Sequence, residues 1–189
     1  MIEIPCLLDE GTKHHFFDWI AGQTKNDMNF YEIGSFLGGS ICTLGQKLKE
    51  KNIIVKMTAV DNWEFGNISL GHLEMTSKDK SYYEQFEENV KKCNLSVTPL
   101  IGDSIEISKF IKNNTIDFLF IDGDHSYPYV KKELDAWIPK MKKDSILAGH
   151  DYSSSDAIRK AVHETFPEDQ INFTENKDSY YVVFGKGLC

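Results

Sequence analysis

The sequence lacks the spacings by which small functional motifs usually declare themselves. Its four cysteines, Cys6, Cys42, Cys93 and Cys189, are scattered with no C-x-x-C pair among them. That excludes a zinc knuckle and a disulfide framework and fits a reduced, cytoplasmic protein. Positive charge is also scarce: 21 Lys and Arg stand against 29 Asp and Glu, a net charge of −8, so a nucleic-acid backbone or an anionic membrane surface is repelled. The short basic clusters Lys91-Lys92, Lys131-Lys132 and Lys140 to Lys143 fall near predicted helix ends, where lysines are at home. No apolar run is long enough to span a bilayer, and the opening residues MIEIPCLLDEG carry neither a basic n-region nor a long apolar h-region. Neither secretion nor a membrane partner is expected. G-x-G-x-x-G and G-K-[ST] are missing too, so neither a dinucleotide fingerprint nor a P-loop is encoded.

What is present is enough for one substantial core, at 189 residues and 41% hydrophobic content, so residues 1–189 are read as a single domain. The chain is organised around Asn29–Ser40, NFYEIGSFLGGS. A short apolar run with Glu32 near its end breaks at Gly34, Gly38 and Gly39 before a helical pattern begins. Strand, Gly-rich turn, helix is the opening of a nucleotide-binding α/β unit, because glycines permit positive φ and close approach of a ligand while the helix offers unpaired N–H groups.

The rest of the chain continues the alternation. Residues 1–27 read as an N-terminal helical extension, with Phe16, Phe17, Trp19 and Ile20 on one face of a helix over Asp9–Ala21; His14 and His15 on it are read as core or surface residues. Strands are predicted over Asn29–Ile33, Ile53–Val60, Ser96–Ile101, Ile116–Ile121 and Ser145–Ala148. Helices are predicted over Ser40–Lys51, Ser81–Cys93, Ile105–Lys112, Tyr129–Met141 and Ser155–Phe166, the last capped by Asp156 or a neighbouring serine. Ile171–Thr174 and Tyr180–Phe184 flank ENKDS as an antiparallel hairpin. Residues 62–80 form a long connection without clear period, a candidate lid in which Trp63 and Phe65 would cover a bound adenine.

Each of the five strands ends in polar, mostly acidic residues: Glu32 to Ser35, Asp61-Asn62, Asp103-Ser104, Asp122 to His125 and His150-Asp151. In a parallel sheet these ends share one edge, the edge at which open α/β proteins bind ligands. So acidic an edge suits a ligand with a ribose, an adenine and an ammonium or sulfonium charge better than a pyrophosphate. Asp61 is placed to accept from ribose hydroxyls and Asp103 from an exocyclic amine. Tyr127, Tyr129 and Tyr152 fall near the same edge, as pocket lining or as core.

EIGSFLGGS (32–40), VDN (60–62), GDS (102–104), IDGDHSY (121–127) and GHDY (149–152), in that order, resemble the class I S-adenosylmethionine-dependent methyltransferases. Within them the chain is similar to the branch of macrocin-type and other small-molecule O-methyltransferases (methyltransferase family 24-like), over about residues 28–185. The resemblance implies a Rossmann-like seven-stranded α/β sheet of order 3-2-1-4-5-7-6, last strand antiparallel, with helices on both faces. It implies S-adenosyl-L-methionine held by Glu32, Gly34, Ser35, Gly38, Ser40, Asp61, Asn62, Asp103, Ser104 and Asp122. It also implies a divalent metal, magnesium in most of the branch, at Asp122, His150 and Asp151, which would acidify the acceptor hydroxyl and align it with the methyl group. Asp124 or His125 would take the proton. His150 stands where related sites present a carboxylate or amide, and imidazole suits manganese, zinc or iron better than magnesium; the other reading makes it a histidine that orients the ligands or binds substrate.

The function expected is therefore methyl transfer to a hydroxyl of a small molecule, a sugar or secondary metabolite, with no nucleic-acid partner. A homodimer is expected because the chain has little beyond the core fold to complete a pocket. Two alternatives remain open: an NAD-dependent oxidoreductase on the same sheet, and a cofactor-binding module without turnover.

Overall fold

The structure, a computed structural model, describes residues 1–64 and 80–185. The candidate lid, including Phe65, lies outside the described residues except at its ends, as does Cys189. Seven strands form one sheet in the order β3-β2-β1-β4-β5-β7-β6: β1 Asn29–Ile33, β2 Lys56–Asp61, β3 Val97–Ile101, β4 Ile116–Ile121, β5 Met141–Gly149, β6 Asn172–Phe173 and β7 Tyr180–Val183. β1 to β5 pair in parallel, and β7 runs antiparallel to both β5 and β6. The helices are α1 Phe17–Gln23, preceded by a π-helical turn Gly11–Phe16, then α2 Gly39–Glu50, α3 Tyr82–Lys92, α4 Ser104–Ser108, α5 Tyr127–Trp137 and α6 Asp156–Thr165.

The strands of the sheet's centre are apolar on both faces because helices cover both. Along β4 the period of two sends Phe118 and Phe120 into one core with α1, α2 and α3, and Leu119 and Ile121 into the other with α5 and α6. Leu134 and Trp137, both 0% exposed, fix α5 on the second face, each burial contributing on the order of 2–3 kcal/mol. Sequence-coded caps set helix starts. Ser81 and Glu84 form a reciprocal capping box on α3, and Ser155 rather than Asp156 caps α6 through Ile158 N–H.

Several boundaries differ from the sequence reading: β2 begins at Lys56 rather than Ile53, and α5 spans Tyr127–Trp137 rather than Tyr129–Met141. β5 begins at Met141, not Ser145: Met141 pairs with Ile116, and the charged residues Lys142 to Asp144 occupy the irregularity before pairing resumes at Phe118 and Ile146. α4 stops at Ser108, well short of Lys112. The first eight residues are not helical: Ile4 and Leu8 are 6% and 5% exposed and belong to the first core, so this segment is part of the domain rather than an appendage. His14 and His15 lie on the surface, facing Glu10 and Glu175.

Candidate active site

Strand register builds the floor of the site. Ile33 lies opposite both Val60 and Ile121, Asp61 opposite Ile101, and Ile121 opposite Gly149. The next residue on each strand therefore emerges at one level: Gly34, Gly102, Asp122 and His150, with Asp61 between. Above them opens a cleft of about 670 Å³. At Gly34, φ is +81° and an added Cβ would sit 2.1 Å from the Asp122 carbonyl oxygen, so only glycine lets β1 turn this close to the end of β4.

The Gly34–Ser40 loop is held from below. Phe36, a bulky residue at φ +45°, donates its N–H to Asp61 Oδ2 at 2.8 Å, and Trp63 N–H donates to Asp61 Oδ1 at 2.8 Å. Asp61 is 8% exposed and lines the cleft. Burial raises its pKa against the pull of those N–H groups. Its carboxylate is thus first an organiser of a strained loop, and a ribose would use the lone pairs left over. Glu32, 4% exposed, lies beneath the same loop. Burial pushes its carboxyl up to about 8, opposed by the nearby Ser40 and Ser35 hydroxyls. Neither Glu32 Oε2 nor Ser35 Oγ completes a hydrogen bond.

At the ends of β3 and β4 the polar groups interlock. Asp103 Oδ1 caps α4 through Glu106 N–H at 2.9 Å, and Asp103 Oδ2 accepts from Tyr129 OH at 2.6 Å. Ser104 donates its hydroxyl to Glu133, whose carboxyl burial raises to about 7. Asp124 Oδ1 accepts from Ser126 N–H at 2.6 Å and so shapes the turn that starts α5.

Where β4 and β5 end, His150 stands among carboxylates. Nδ1 lies 3.5 Å from Asp122 Oδ1 and 3.3 Å from Asp151 Oδ2, while Nε2 lies 3.3 Å from Asp178 Oδ2 and 3.6 Å from Asp9 Oδ2. Burial opposes charge on the ring, but Asp122 and Asp151 outweigh it and raise its pKa to about 10. Asp151 is held below the usual carboxylate range by His150. His125 Nε2 approaches Asp151 Oδ2 at 3.2 Å from the cleft side, half exposed. Asp122, His150 and Asp151 offer ligand atoms within 4.8 Å of one another, a spacing one cation spans.

A family model described as "Methyltransferase domain" matches residues 31–152, a segment that runs from β1 through the Asp122–His125 loop to Tyr152. The chain belongs to this methyltransferase family. Two curated relatives match it. The uncharacterized protein y4gI of Sinorhizobium fredii is 25% identical over 122 residues, 64% of this chain and 12% of its own length. The uncharacterized protein R132 of Acanthamoeba polyphaga mimivirus is 27% identical over 142 residues, 68% of this chain and 53% of its own. The chain therefore spans about a tenth and about half of the lengths of these two relatives. Among solved structures, an O-methyltransferase from Bacillus cereus in complex with SAH is similar at TM-score 0.61 and 16% identity, over 95% of this chain and 84% of that one. The O-methyltransferase TomG from Streptomyces achromogenes, in complex with SAM, is similar at TM-score 0.61 and 13% identity, over 96% and 83%. These likenesses establish the fold of the methyltransferase domain.

Of the residues singled out from sequence, Gly34, Ser35, Ser40, Asp61, Asn62, Asp103, Ser104, Asp122, Asp124, His125, His150 and Asp151 all border the cleft of this domain. Glu32 lies just under it. Gly38 does not border it: at φ +80° its missing side chain makes room for the Phe86 ring, 2.9 Å from where a Cβ would be, so its glycine serves α2–α3 packing. Trp63 does not border the cleft either: it is 6% exposed and packs among Tyr83 and Phe86, with Nε1–H donated to the Phe36 carbonyl. Tyr129 borders the cleft, whereas Tyr127 bonds Glu164 and Tyr152 packs on Phe173 and Tyr180. Sequence reasoning missed Glu133 and the wall formed by Pro5 to Leu8. A glutamate at a core-facing helical position was the available signal for the first.

Proposed function

We propose that this domain transfers a methyl group from S-adenosyl-L-methionine to a hydroxyl of a small molecule, a sugar or secondary metabolite, assisted by a divalent metal of the magnesium class. The observation that carries the reading is the meeting of Asp122, Asp151 and His125 at adjoining strand ends, in the same cleft as the Gly34–Ser40 loop and Asp61. SAH and SAM in the similar O-methyltransferases support the choice of cofactor.

In this reading the methionine end lies over Gly34, Ser35 and Ser40, the ribose at Asp61 and Asn62, and the adenine toward Asp103 and Ser104. Glu32 sits below the position of the cofactor's ammonium group. A buried carboxyl that titrates at about 8 becomes a carboxylate when a cation arrives beside it. The cofactor supplies an electrophilic methyl on a sulfonium. Asp122 and Asp151 are the carboxylates that fit a hard divalent ion, with His150 Nδ1 beside both; such an ion lowers the pKa of a bound hydroxyl.

His125 is the better base of the two candidates. Its Nε2 lies 3.2 Å from Asp151 Oδ2; in the tautomer that carries the proton there, Nδ1 would keep a lone pair for the acceptor proton. Asp124 is occupied in shaping its own turn. With the cofactor bound, His125 would be placed to take the proton that the acceptor hydroxyl gives up. The free thiols of Cys6, Cys42 and Cys93 support a reducing, cytoplasmic setting.

The test compares thermal midpoints with S-adenosylmethionine and with NAD, since only a ligand of the native state raises the midpoint. A shift with the first alone, and methyl transfer to a hydroxylated acceptor panel that stops on chelation, is the expected result. A shift with NAD alone sinks the reading; cofactor binding without transfer to any acceptor favours a binding module.

A further inference from the structure

His150 presents its two nitrogens to two different acidic pairs, and only the Nδ1 pair belongs to the reaction cleft. Nε2 completes no hydrogen bond although the side chain is 5% exposed. The carboxylates facing it are anchored by other contacts. Asp9 accepts from Thr12 N–H at 3.0 Å, Thr12 OH at 2.6 Å and the Asn176 amide at 2.7 Å. Asp178 Oδ1 accepts from the Ser153 hydroxyl, leaving Oδ2 toward the ring.

We propose that Asp9, His150 and Asp178 form a second metal site, for a tetrahedral zinc-class ion bound through His150 Nε2, distinct from the Asp122–Asp151 pair. Their donor atoms lie within 4.8 Å of one another. The separations at Nε2, 3.3 and 3.6 Å, are short enough for one ion to span with zinc–ligand bonds of about 2.0–2.1 Å; the choice of ion rests on the donor set. An imidazole and two carboxylates are a set zinc accepts more readily than magnesium does. Asp9 and Asp178 are 20% and 22% exposed, which admits the ion and a water as fourth ligand.

The assignment has a consequence inside the cleft. A neutral imidazole has one lone pair and one N–H, so an ion at Nε2 leaves Nδ1–H to donate toward Asp122 and Asp151. The cleft pair is then an oxygen-only site oriented by a shared donor, which is what a hard ion requires. Zinc would also tie the N-terminal wall of the cleft, through Asp9, to the β6–β7 turn, through Asp178. None of this depends on the proposed reaction.

Zinc binding to the metal-free full chain is measured calorimetrically with excess magnesium present to occupy the cleft pair. Stoichiometric binding is expected, weakened about tenfold or more in Asp178→Asn and Asp9→Asn and retained in Asp122→Asn, with folding of each variant checked by circular dichroism. Cobalt(II) added to the wild-type chain supplies a readout that needs no variant: intense visible bands mark a tetrahedral ion. No zinc binding, a weak octahedral cobalt spectrum, or binding lost in Asp122→Asn but kept in Asp178→Asn overturns the proposal.

Discussion

Replacing Glu32 by Gln removes an ionisable group buried under the Gly34–Ser40 loop while keeping its shape, and the pKa fixes the sign of the effect on stability. The carboxyl titrates at about 8 in the folded protein against an ordinary 4.5. Between those values the unfolded chain has released a proton that the folded chain retains, so stability falls by about 1.4 kcal/mol per pH unit as pH rises. The contribution is fully present below 4.5 and lost by about pH 8. Glu133, raised from 4.5 to about 7, acts in the same direction, and so does His150, whose loss begins above its ordinary 6.5 and runs to about 10. Asp9, Asp103 and Asp151 are lowered from 3.8, so their stabilisation is lost only as pH falls below that value.

A window of about pH 5 to 6.5 therefore isolates the raised carboxyls, and across it wild type and Glu32→Gln should diverge by about 2 kcal/mol, the wild type losing more. Urea unfolding at several pH values in this window, with linear extrapolation, measures the difference. Parallel curves for the two proteins would refute the claim that Glu32 is protonated in the folded, ligand-free chain. A companion measurement links the same group to function: at pH 7, S-adenosylmethionine binding should release a proton in the wild type but not in Glu32→Gln, read as a buffer-dependent calorimetric enthalpy.

Asp61→Ala should cost about 1–3 kcal/mol for each of the two backbone N–H groups it orphans and should abolish cofactor affinity; chemical unfolding and calorimetry read the two separately. His125→Ala should reduce turnover by about 10²- to 10⁴-fold with cofactor affinity unchanged, and loss of affinity would reassign it to binding. Gly34→Ala should destabilise by about 2–3 kcal/mol, since its Cβ would meet the Asp122 carbonyl at 2.1 Å; a thermal midpoint equal to wild type would contradict that contact. Removing divalent ions with a chelator should stop turnover while leaving the S-adenosylmethionine-induced thermal shift in place.

The sheet was legible because its inner strands are short, apolar on both faces and closed by residues that cannot continue a strand. Asn29–Ile33 and Ile116–Ile121 were delimited to the residue for that reason. The common level of the acidic strand ends was legible too, since parallel register follows from a β/α alternation. What escaped was whatever depends on side-chain contacts across the fold. Gly38 and Trp63 sit in the right stretches for a ligand site, yet Phe86 on α3, far along the chain, claims both. Glu133 shares its helix face with the buried Trp137, four residues on, but nothing local names Ser104 as its partner. Pro5 to Leu8 carry no periodic pattern, and their place over Gly39 is fixed only when α2 is formed.

The charge of the cleft follows from the same register. Adjacent strand ends put Asp61, Asp103, Asp122 and Asp151 around one opening, and the ligand-free chain relieves their repulsion internally, by protonating Glu32 and by charging His150. Those are compensations a ligand can replace. A phosphate would add to the repulsion, and the loop accordingly lacks a phosphate-binding glycine pattern. An ammonium and a sulfonium over Glu32, with a divalent ion at Asp122 and Asp151, would relieve it, releasing protons as they bind. The glycine at position 34 serves both sides of the cleft: by letting β1 turn against the Asp122 carbonyl, it brings the Gly34–Ser40 loop and the carboxylates of Asp122 and Asp151 into a single space.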